Sequence, residues 1–207
     1  MTVPVPLVVV GAFLLGSIPF GLLVTRWSAG WDIRERGSGN IGAANVLREA
    51  GPIPALATLA LDAAKGSVAV LLARAASAPA STAAEAAGLA VMAGHVFCPW
   101  LRLRGGKGAA TGAGAFGVLE PAGTAVASIV FAAVVGTTRR VSAGSIAAAV
   151  ALPFCVAAAG ATARSVVAAA LAALLILWSH RANMHRLRKG TEPRIGERPS
   201  GGGADRR

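Results

Sequence analysis

Stretches without charged residues divide this chain into segments that are long enough to cross a lipid bilayer. The first covers residues 4–25 and contains no Asp, Glu, Lys or Arg, and about 20 apolar residues suffice to span the hydrocarbon core. Further apolar segments are predicted over residues 52–74, 82–101, 108–138, 143–160 and 164–179. No basic region precedes the first stretch and no cleavage motif follows it, so we expect it to be retained as a span. The pattern predicts an all-α integral membrane protein.

The segment at 108–138 is too long for one helix, and Leu119-Glu120-Pro121 interrupts it. We therefore predict two short spans joined by a tight turn, which gives about seven transmembrane helices. Loops 26–51, 102–107 and 139–142 and the tail from residue 180 hold 17 of the 20 Lys and Arg residues. Because Lys and Arg are enriched in cytoplasmic loops, we predict a cytoplasmic carboxyl terminus and an amino terminus outside.

The formal net charge of +11 does not indicate nucleic-acid binding, because the basic residues lie in short loops without interleaved aromatic residues. Cys98 and Cys155 lie in or beside apolar stretches without CxxC spacing, so neither a zinc site nor a disulfide framework is predicted. We expect no metal and no cofactor. Residues 1–192 are predicted to form one polytopic domain, and residues 193–207 a polar, disordered tail.

The first cytoplasmic loop reads GSGNIGAANVLR over residues 37–48. Its GxGxxG spacing does not predict a dinucleotide site, because no apolar strand precedes it. Gly37 and Gly39 would let backbone amides approach an anion, and the side chains of Ser38, Asn40, Asn45 and Arg48 would add hydrogen-bond donors. A flexible polar turn is the alternative interpretation.

The second cytoplasmic loop ends in RGGKG at residues 104–108. Leu101 occupies the position where a Walker A loop requires glycine, so this is not a nucleotide P-loop. Gly105, Gly106 and Gly108 surround Lys107 at the start of an apolar helix. This arrangement predicts a phosphate cradle built from backbone amides, a helix amino terminus and the lysine charge.

Polar residues also lie at the start of the sixth span and after the last one. Ser142 is either a helix cap or a donor, and Ser145 is a further donor near the same membrane face. His180 and Asn183 are three residues apart and share a helix face. The basic residues that follow them are interpreted as contacting lipid headgroups.

Asp62 and Lys65 place opposite charges inside the second predicted span. Each alone would cost about 2.5–3.5 kcal/mol at the bilayer centre. A structural ion pair is the first interpretation, and a direct catalytic role is the second.

Several catalytic signatures are missing from the sequence. No serine lies in a GxSxG elbow, no HExxH is present, and no histidine is followed five residues later by Asp. The chain has many groups suited to phosphate binding but no evident pair of base and nucleophile. This combination predicts a site that holds two phosphates together.

Several motifs in order resemble those of the bacterial membrane acyl-phosphate:glycerol-3-phosphate acyltransferases, the PlsY type. They are GSIPFG at 16–21, GSGNIGAANVLR at 37–48, LDAAKG at 61–66, GHVF with RGGKG at 94–108, RRVSAGS at 139–145, and HRANMHRL with KGTE at 180–192. The resemblance covers nearly the whole chain. One departure is Ala44, which stands where the family usually has Thr.

The resemblance implies seven spans in the bacterial cell membrane, with the active site at the cytoplasmic face. It implies acyl phosphate as donor, glycerol 3-phosphate as acceptor, and a soluble enzyme that makes the acyl phosphate as a partner. Carried over by motif, the substrate-handling residues are Ser38, Arg48, Lys107, His180 and Asn183. The same motifs make Gly105, Gly106 and Gly108 the cradle of the donor phosphate, with Ser145 beside it.

Two other functions are weighed against this one. A membrane acyltransferase that uses a thioester donor is disfavoured because the pairing of His with Asp five residues later is missing. A transporter for an organic phosphate would carry its binding groups near the membrane midplane, whereas the polar motifs here lie toward one face.

Overall fold

The computed structural model describes residues 3–76 and 80–197, which contain α-helices and two short 3₁₀ turns. The helices are α1 (Val5–Gly16), α2 (Phe20–Ala29), α3 (Ala43–Ala50), α4 (Pro52–Ala76), α5 (Ala80–Val96), α6 (Ala109–Leu119), α7 (Pro121–Thr138), α8 (Val141–Ala158), α9 (Ala163–Ser179) and α10 (Arg181–Arg188). No strand occurs within these ranges. The predicted all-α fold is confirmed.

The predicted apolar segments coincide with the observed helices. Five helical stretches are long and apolar enough to cross a membrane, and they are Val5–Ala29, Pro52–Ala76, Thr82–Leu101, Pro121–Thr138 and Val141–Ala158. The pair α9 and α10 forms a sixth if it is one span with a 62° bend. The helices in the described part of the chain are therefore those of a multi-pass membrane protein.

The predicted interruption of the fourth segment lies at Glu120, between α6 and α7. Pro121 begins α7, where its missing N–H breaks no helical hydrogen bond. The α6 helix has 11 residues, which give about 16 Å at 1.5 Å per residue, roughly half of the hydrocarbon thickness. The predicted count of seven spans therefore depends on this short helix.

The position of α6 explains how it can be short. Its carboxyl-terminal Leu119 carbonyl accepts a hydrogen bond from Arg74, near the end of α4. At the middle of α6, Gly114 packs against Ala63 and its carbonyl accepts a hydrogen bond from Ser67. The α6 helix thus runs along the second half of α4, and the loop before it enters the helix bundle near the middle of α4.

Small residues bring neighbouring helices into backbone contact. The α1–α5 pair touches at Gly16 and Gly94, and the α4–α6 pair at Gly66 and Gly114, where an added Cβ would overlap the backbone of the opposite helix. Close approach through small residues is typical of membrane helices, since burial from water does not drive their association.

Candidate active site

The first loop is shaped by two asparagine side chains. The buried Asn45 carboxamide accepts a hydrogen bond from the Ser38 amide (3.0 Å) and donates one to the Arg36 carbonyl (3.1 Å). The Asn40 side chain accepts a hydrogen bond from the Gly42 amide (2.9 Å). The two asparagines, which we expected to act as anion donors, are therefore largely engaged in holding the loop.

Two glycines of this loop, Gly37 and Gly39, are explained by the backbone conformation. Gly37 and Gly39 have φ angles of 55° and 68°, a left-handed conformation that side chains disfavour. Neither residue lines the cavity described below. Their glycine identity is therefore explained by the loop conformation.

Arg48 extends from α3 over this loop. Its Nη2 lies 3.5 Å from the Ser38 hydroxyl and 3.3 Å from Asn45 Oδ1, so no acidic side chain of residues 3–76 and 80–197 holds it by a hydrogen bond. Burial lowers the pKa of the Arg48 guanidinium, against the attraction of Glu192 and Glu49. An arginine without a carboxylate hydrogen bond is free to bind a phosphate through its planar fork.

The second loop differs from the predicted cradle in the direction of its amides. The Gly105 amide donates to the Val96 carbonyl and the Gly106 amide to the His95 carbonyl, both at 3.0 Å. These two amides are hydrogen-bonded to the last carbonyls of α5, so they are not free to bind an anion. Glycine is required at both positions because a Cβ would overlap the His95 carbonyl at Gly105 and the His95 ring at Gly106.

The free amides of this loop lie farther along the chain. Gly108 has a φ of 79° and precedes α6, which begins without a side-chain cap. The first amides of an α-helix have no partner within the helix. The amino terminus of α6, next to Lys107, therefore presents amides of the kind that can bind an anion.

Lys107 connects the second loop to the last two helices. Its ammonium donates to Asn183 Oδ1 at 2.5 Å, and its carbonyl accepts from the Ser179 hydroxyl at 2.9 Å. Burial and the nearby cations Arg186 and Arg48 lower the pKa of Lys107 to about 8, although Glu192 opposes the shift. Within the part of the chain that the structure describes, this lysine carries a charge without a carboxylate hydrogen bond, as a phosphate site requires.

His180 lies at the bend between α9 and α10. Its Nδ1 is 2.8 Å from the Ile176 carbonyl oxygen. A carbonyl only accepts hydrogen bonds, so Nδ1 carries the proton and Nε2 is left as an acceptor. The ring is buried and lines the cavity.

Glu192 is a buried site residue that our sequence analysis did not include. Its carboxylate accepts hydrogen bonds from Asn183 (2.5 Å) and Arg186 (2.7 Å). Because the Nδ2 of Asn183 donates to Glu192, the Oδ1 of Asn183 is directed toward Lys107. The KGTE motif was the only sequence signal for this residue.

The serines of α8 line the same cavity as Arg48 and Lys107. Ser145 donates to the Val141 carbonyl (3.1 Å). The buried Ser142 hydroxyl lies beside the Glu192 carboxylate without a hydrogen bond of good geometry. Both hydroxyls line the cavity.

The segment after Glu192 also contributes to the site. The Ile195 amide donates to the Arg139 carbonyl at 2.7 Å, and the Arg139 guanidinium donates to the Ile195 carbonyl at 3.0 Å. Residues 193–197 line the cavity. Residues 193–197, which the sequence analysis placed in the polar tail, thus pack against the site. Residues 198–207, the rest of the predicted tail, lie outside the described residues.

These groups surround a cavity of about 560 Å³. Its polar end is lined by predicted site residues, namely Ser38, Asn40, Asn45, Arg48, Lys107, Gly108, Ser142, Ser145, His180 and Asn183. Gly105 and Gly106 do not line it. Its other end is apolar and lies between four helices, where Phe116, Phe131, Leu152 and Ile176 contribute. The cavity thus fits a molecule with anionic and hydrocarbon parts.

Comparison with known proteins identifies the family. A family model described as glycerol-3-phosphate acyltransferase matches residues 6–190. The chain belongs to the glycerol-3-phosphate acyltransferase family. A glycerol-3-phosphate acyltransferase from Synechococcus sp. (strain CC9902) is 46% identical over 90% of this chain and 92% of its own length.

The fold of this family member also matches solved structures. The crystal structure of PlsY, an integral membrane glycerol 3-phosphate acyltransferase, in its glycerol 3-phosphate form has a TM-score of 0.87 and 33% identity, over 93% of this chain and 96% of that one. The lysophosphatidic acid form gives a TM-score of 0.85 and 31% identity, over 93% and 95%.

Proposed function

We propose that this chain transfers a fatty acyl group from acyl phosphate to the 1-hydroxyl of glycerol 3-phosphate, giving 1-acyl-glycerol 3-phosphate. The cavity carries this proposal, because one end offers cations and hydrogen-bond donors while the other is apolar. An acyl phosphate divides in the same way into a charged head and a hydrocarbon chain. Glycerol 3-phosphate adds a second phosphate, which accounts for two separate cations, Arg48 and Lys107.

In the proposed reaction the hydroxyl oxygen of glycerol 3-phosphate attacks the acyl carbon. The bond between that carbon and the phosphate oxygen breaks, and inorganic phosphate leaves. Phosphate is a good leaving group, so the hydroxyl needs only modest deprotonation, and a substrate phosphate oxygen takes the proton. The rate enhancement comes from orientation and from stabilisation of charge.

The site residues have separate roles in this proposal. Lys107 and the amino terminus of α6 hold one phosphate, the donor's, and Arg48 with Ser38 holds the other. The acceptor nitrogen of His180, Nε2, receives a hydrogen bond from the attacking hydroxyl and orients it. Asn183 fixes Lys107, and Ser142 and Ser145 line the cavity near the donor phosphate.

We further propose that the amino terminus is outside, that seven spans are present with α6 as the shortest, and that the site faces the cytoplasm of a bacterial cell. The positions of 17 of the 20 Lys and Arg residues support this orientation. A soluble enzyme on that side would then supply acyl phosphate. A tag at the carboxyl terminus should be protected in right-side-out vesicles and a tag at residue 2 accessible. Two tags on the same side would contradict an odd number of spans.

The donor is tested by giving the purified protein glycerol 3-phosphate with either acyl phosphate or acyl-CoA. We expect 1-acyl-glycerol 3-phosphate only from acyl phosphate, and the Lys107→Ala variant should be inactive while Arg188→Ala remains active. Product from acyl-CoA alone would contradict the proposed donor. Uptake of glycerol 3-phosphate into vesicles without covalent product would instead identify a transporter.

A further inference from the structure

Beneath the second loop lies a cluster of buried polar side chains to which the proposed function assigns no role. It consists of Asp62 and Lys65 on α4 and His95 near the end of α5, with exposed fractions of 2%, 3% and 4%. Asp62 and His95 line the cavity, on the side next to Lys107. The sequence indicated the ion pair but gave no reason to include His95.

Lys65 is the centre of this cluster. Its Nζ lies 2.8 Å from Asp62 Oδ1 and 2.8 Å from His95 Nδ1, and it donates to the Ile18 carbonyl at 2.9 Å. The contact with Asp62 is an ion pair without hydrogen-bond geometry, and His95 Nδ1 lies farther from Asp62 Oδ1, at 3.5 Å, than from Lys65. An ammonium accepts no hydrogen bond. His95 Nδ1 must then be an acceptor, and the ring proton is on Nε2.

His95 contacts the loop that carries Lys107 in two ways. Its carbonyl accepts the Gly106 amide at 3.0 Å. Its ring fills the space that a Cβ on Gly106 would occupy, and the nearest ring atom to that position is Nε2. The nitrogen that Lys65 leaves protonated is therefore the one that faces the loop.

We propose that His95 is a positioning residue for Lys107 and that Lys65, paired with Asp62, fixes its tautomer. In this arrangement the ring presents a hydrogen-bond donor, Nε2–H, toward the loop at the cavity wall. The other tautomer would place a lone pair there and would set two donors, Nδ1–H and the ammonium, against each other. The proposal rests on the proposed function, since it explains how the phosphate-binding lysine is held.

Two substitutions separate this role from simple burial of the ion pair. His95→Asn places an acceptor near the position of Nδ1 and so keeps a partner for Lys65, but it has no group near Nε2. His95→Gln reaches the position of Nε2 with an amide donor, but it leaves Lys65 without that acceptor. His185→Gln is the matched control, because His185 is exposed and does not line the cavity.

The variants are compared by kcat and by KM for acyl phosphate and glycerol 3-phosphate in detergent. We expect His95→Asn to raise the KM of the substrate bound by Lys107 about tenfold, because the loop loses the Nε2 end of the ring that packs against Gly106. His95→Gln should stay within about threefold of the wild type. A wild-type KM in His95→Asn, or equal losses in both variants, would overturn the proposal.

A second measurement does not depend on catalysis. In protein labelled with ¹⁵N-histidine, the NMR signals of the three histidines distinguish the two neutral tautomers, and the His95 signals are those lost in His95→Gln. We expect the Nε2–H form in the wild type at neutral pH. An Nδ1–H form would refute the tautomer assignment even if the enzyme is active. An Nε2–H form in a protein that transfers no acyl group would refute the proposed function but not the tautomer assignment.

Discussion

The pKa of Lys107 allows a quantitative prediction for the activity at alkaline pH. If the ammonium binds a substrate phosphate, kcat/KM should fall as the free enzyme loses that proton, at a pKa of about 8. One unit above this pKa, at pH 9, only about a tenth of the lysine is charged, so kcat/KM should be about tenfold below its plateau. A lysine with an ordinary pKa near 10.5 would cause almost no loss at pH 9.

The same reasoning predicts different behaviour for kcat. A bound phosphate dianion favours the charged lysine, so the decline in kcat should begin at higher pH than the decline in kcat/KM. The charged or titratable groups near Lys107 are Arg48, Arg186, His180 and Glu192. The arginines stay charged throughout this range. The chain contains no tyrosine, so no phenol titration interferes.

The assay follows radiolabelled glycerol 3-phosphate into 1-acyl product between pH 6.5 and 10, with fresh acyl phosphate and a blank without enzyme. Lys189→Ala is the matched control, because Lys189 is exposed and should not affect the alkaline decline. Circular dichroism at each pH checks that the helices persist. A kcat/KM that stays constant up to pH 9.5 would show that either the depressed pKa or the role of the lysine charge is wrong.

Three further predictions concern the cavity and the second loop beside it. Arg48→Ala should reduce kcat/KM roughly ten- to a hundredfold, the effect of one lost charged hydrogen bond, and Arg48→Lys should restore it only in part; activity of Arg48→Ala equal to that of Arg188→Ala would contradict this role. Gly106→Ala should lower the thermal unfolding midpoint as well as the activity, because its Cβ would overlap the His95 ring; unchanged stability measured by scanning fluorimetry would argue against that contact. Leu152→Trp should shorten the preferred acyl chain, because the residue lines the apolar end, and an unchanged preference across donors of different length would place the chain elsewhere.

The spans could be predicted from the sequence because apolar length and charge are local properties of the chain. The interruption at Glu120-Pro121 was predictable for the same reason. The break between α1 and α2 at residues 17–19 was not, because GSIPFG carries no charge and hydropathy does not detect a helix interruption within an uncharged stretch. The shortness of α6 depends on the second loop entering the bundle, which requires knowledge of its contacts with α4.

The candidate site was predicted in composition but not in all of its contacts. Glycine spacing indicated the loop around Lys107, yet the amides of Gly105 and Gly106 bind the end of α5. Which way each amide points depends on carbonyls that lie nine and eleven residues earlier in the sequence. The hydrogen bond from Lys107 to Asn183 joins residues 76 positions apart, and no local pattern predicts such a distance. Glu192 was missed because a charged residue in a basic tail is normally solvated.

The ion pair of Asp62 and Lys65 also has a consequence for how the protein enters the membrane during synthesis. Both residues belong to α4, one turn apart, so their pairing needs no other helix. The two charges can neutralise each other while α4 is still in the insertion machinery, before it meets the lipid. Bringing His95 on α5 into contact with Lys65 is then a later step, made when the two helices pack together.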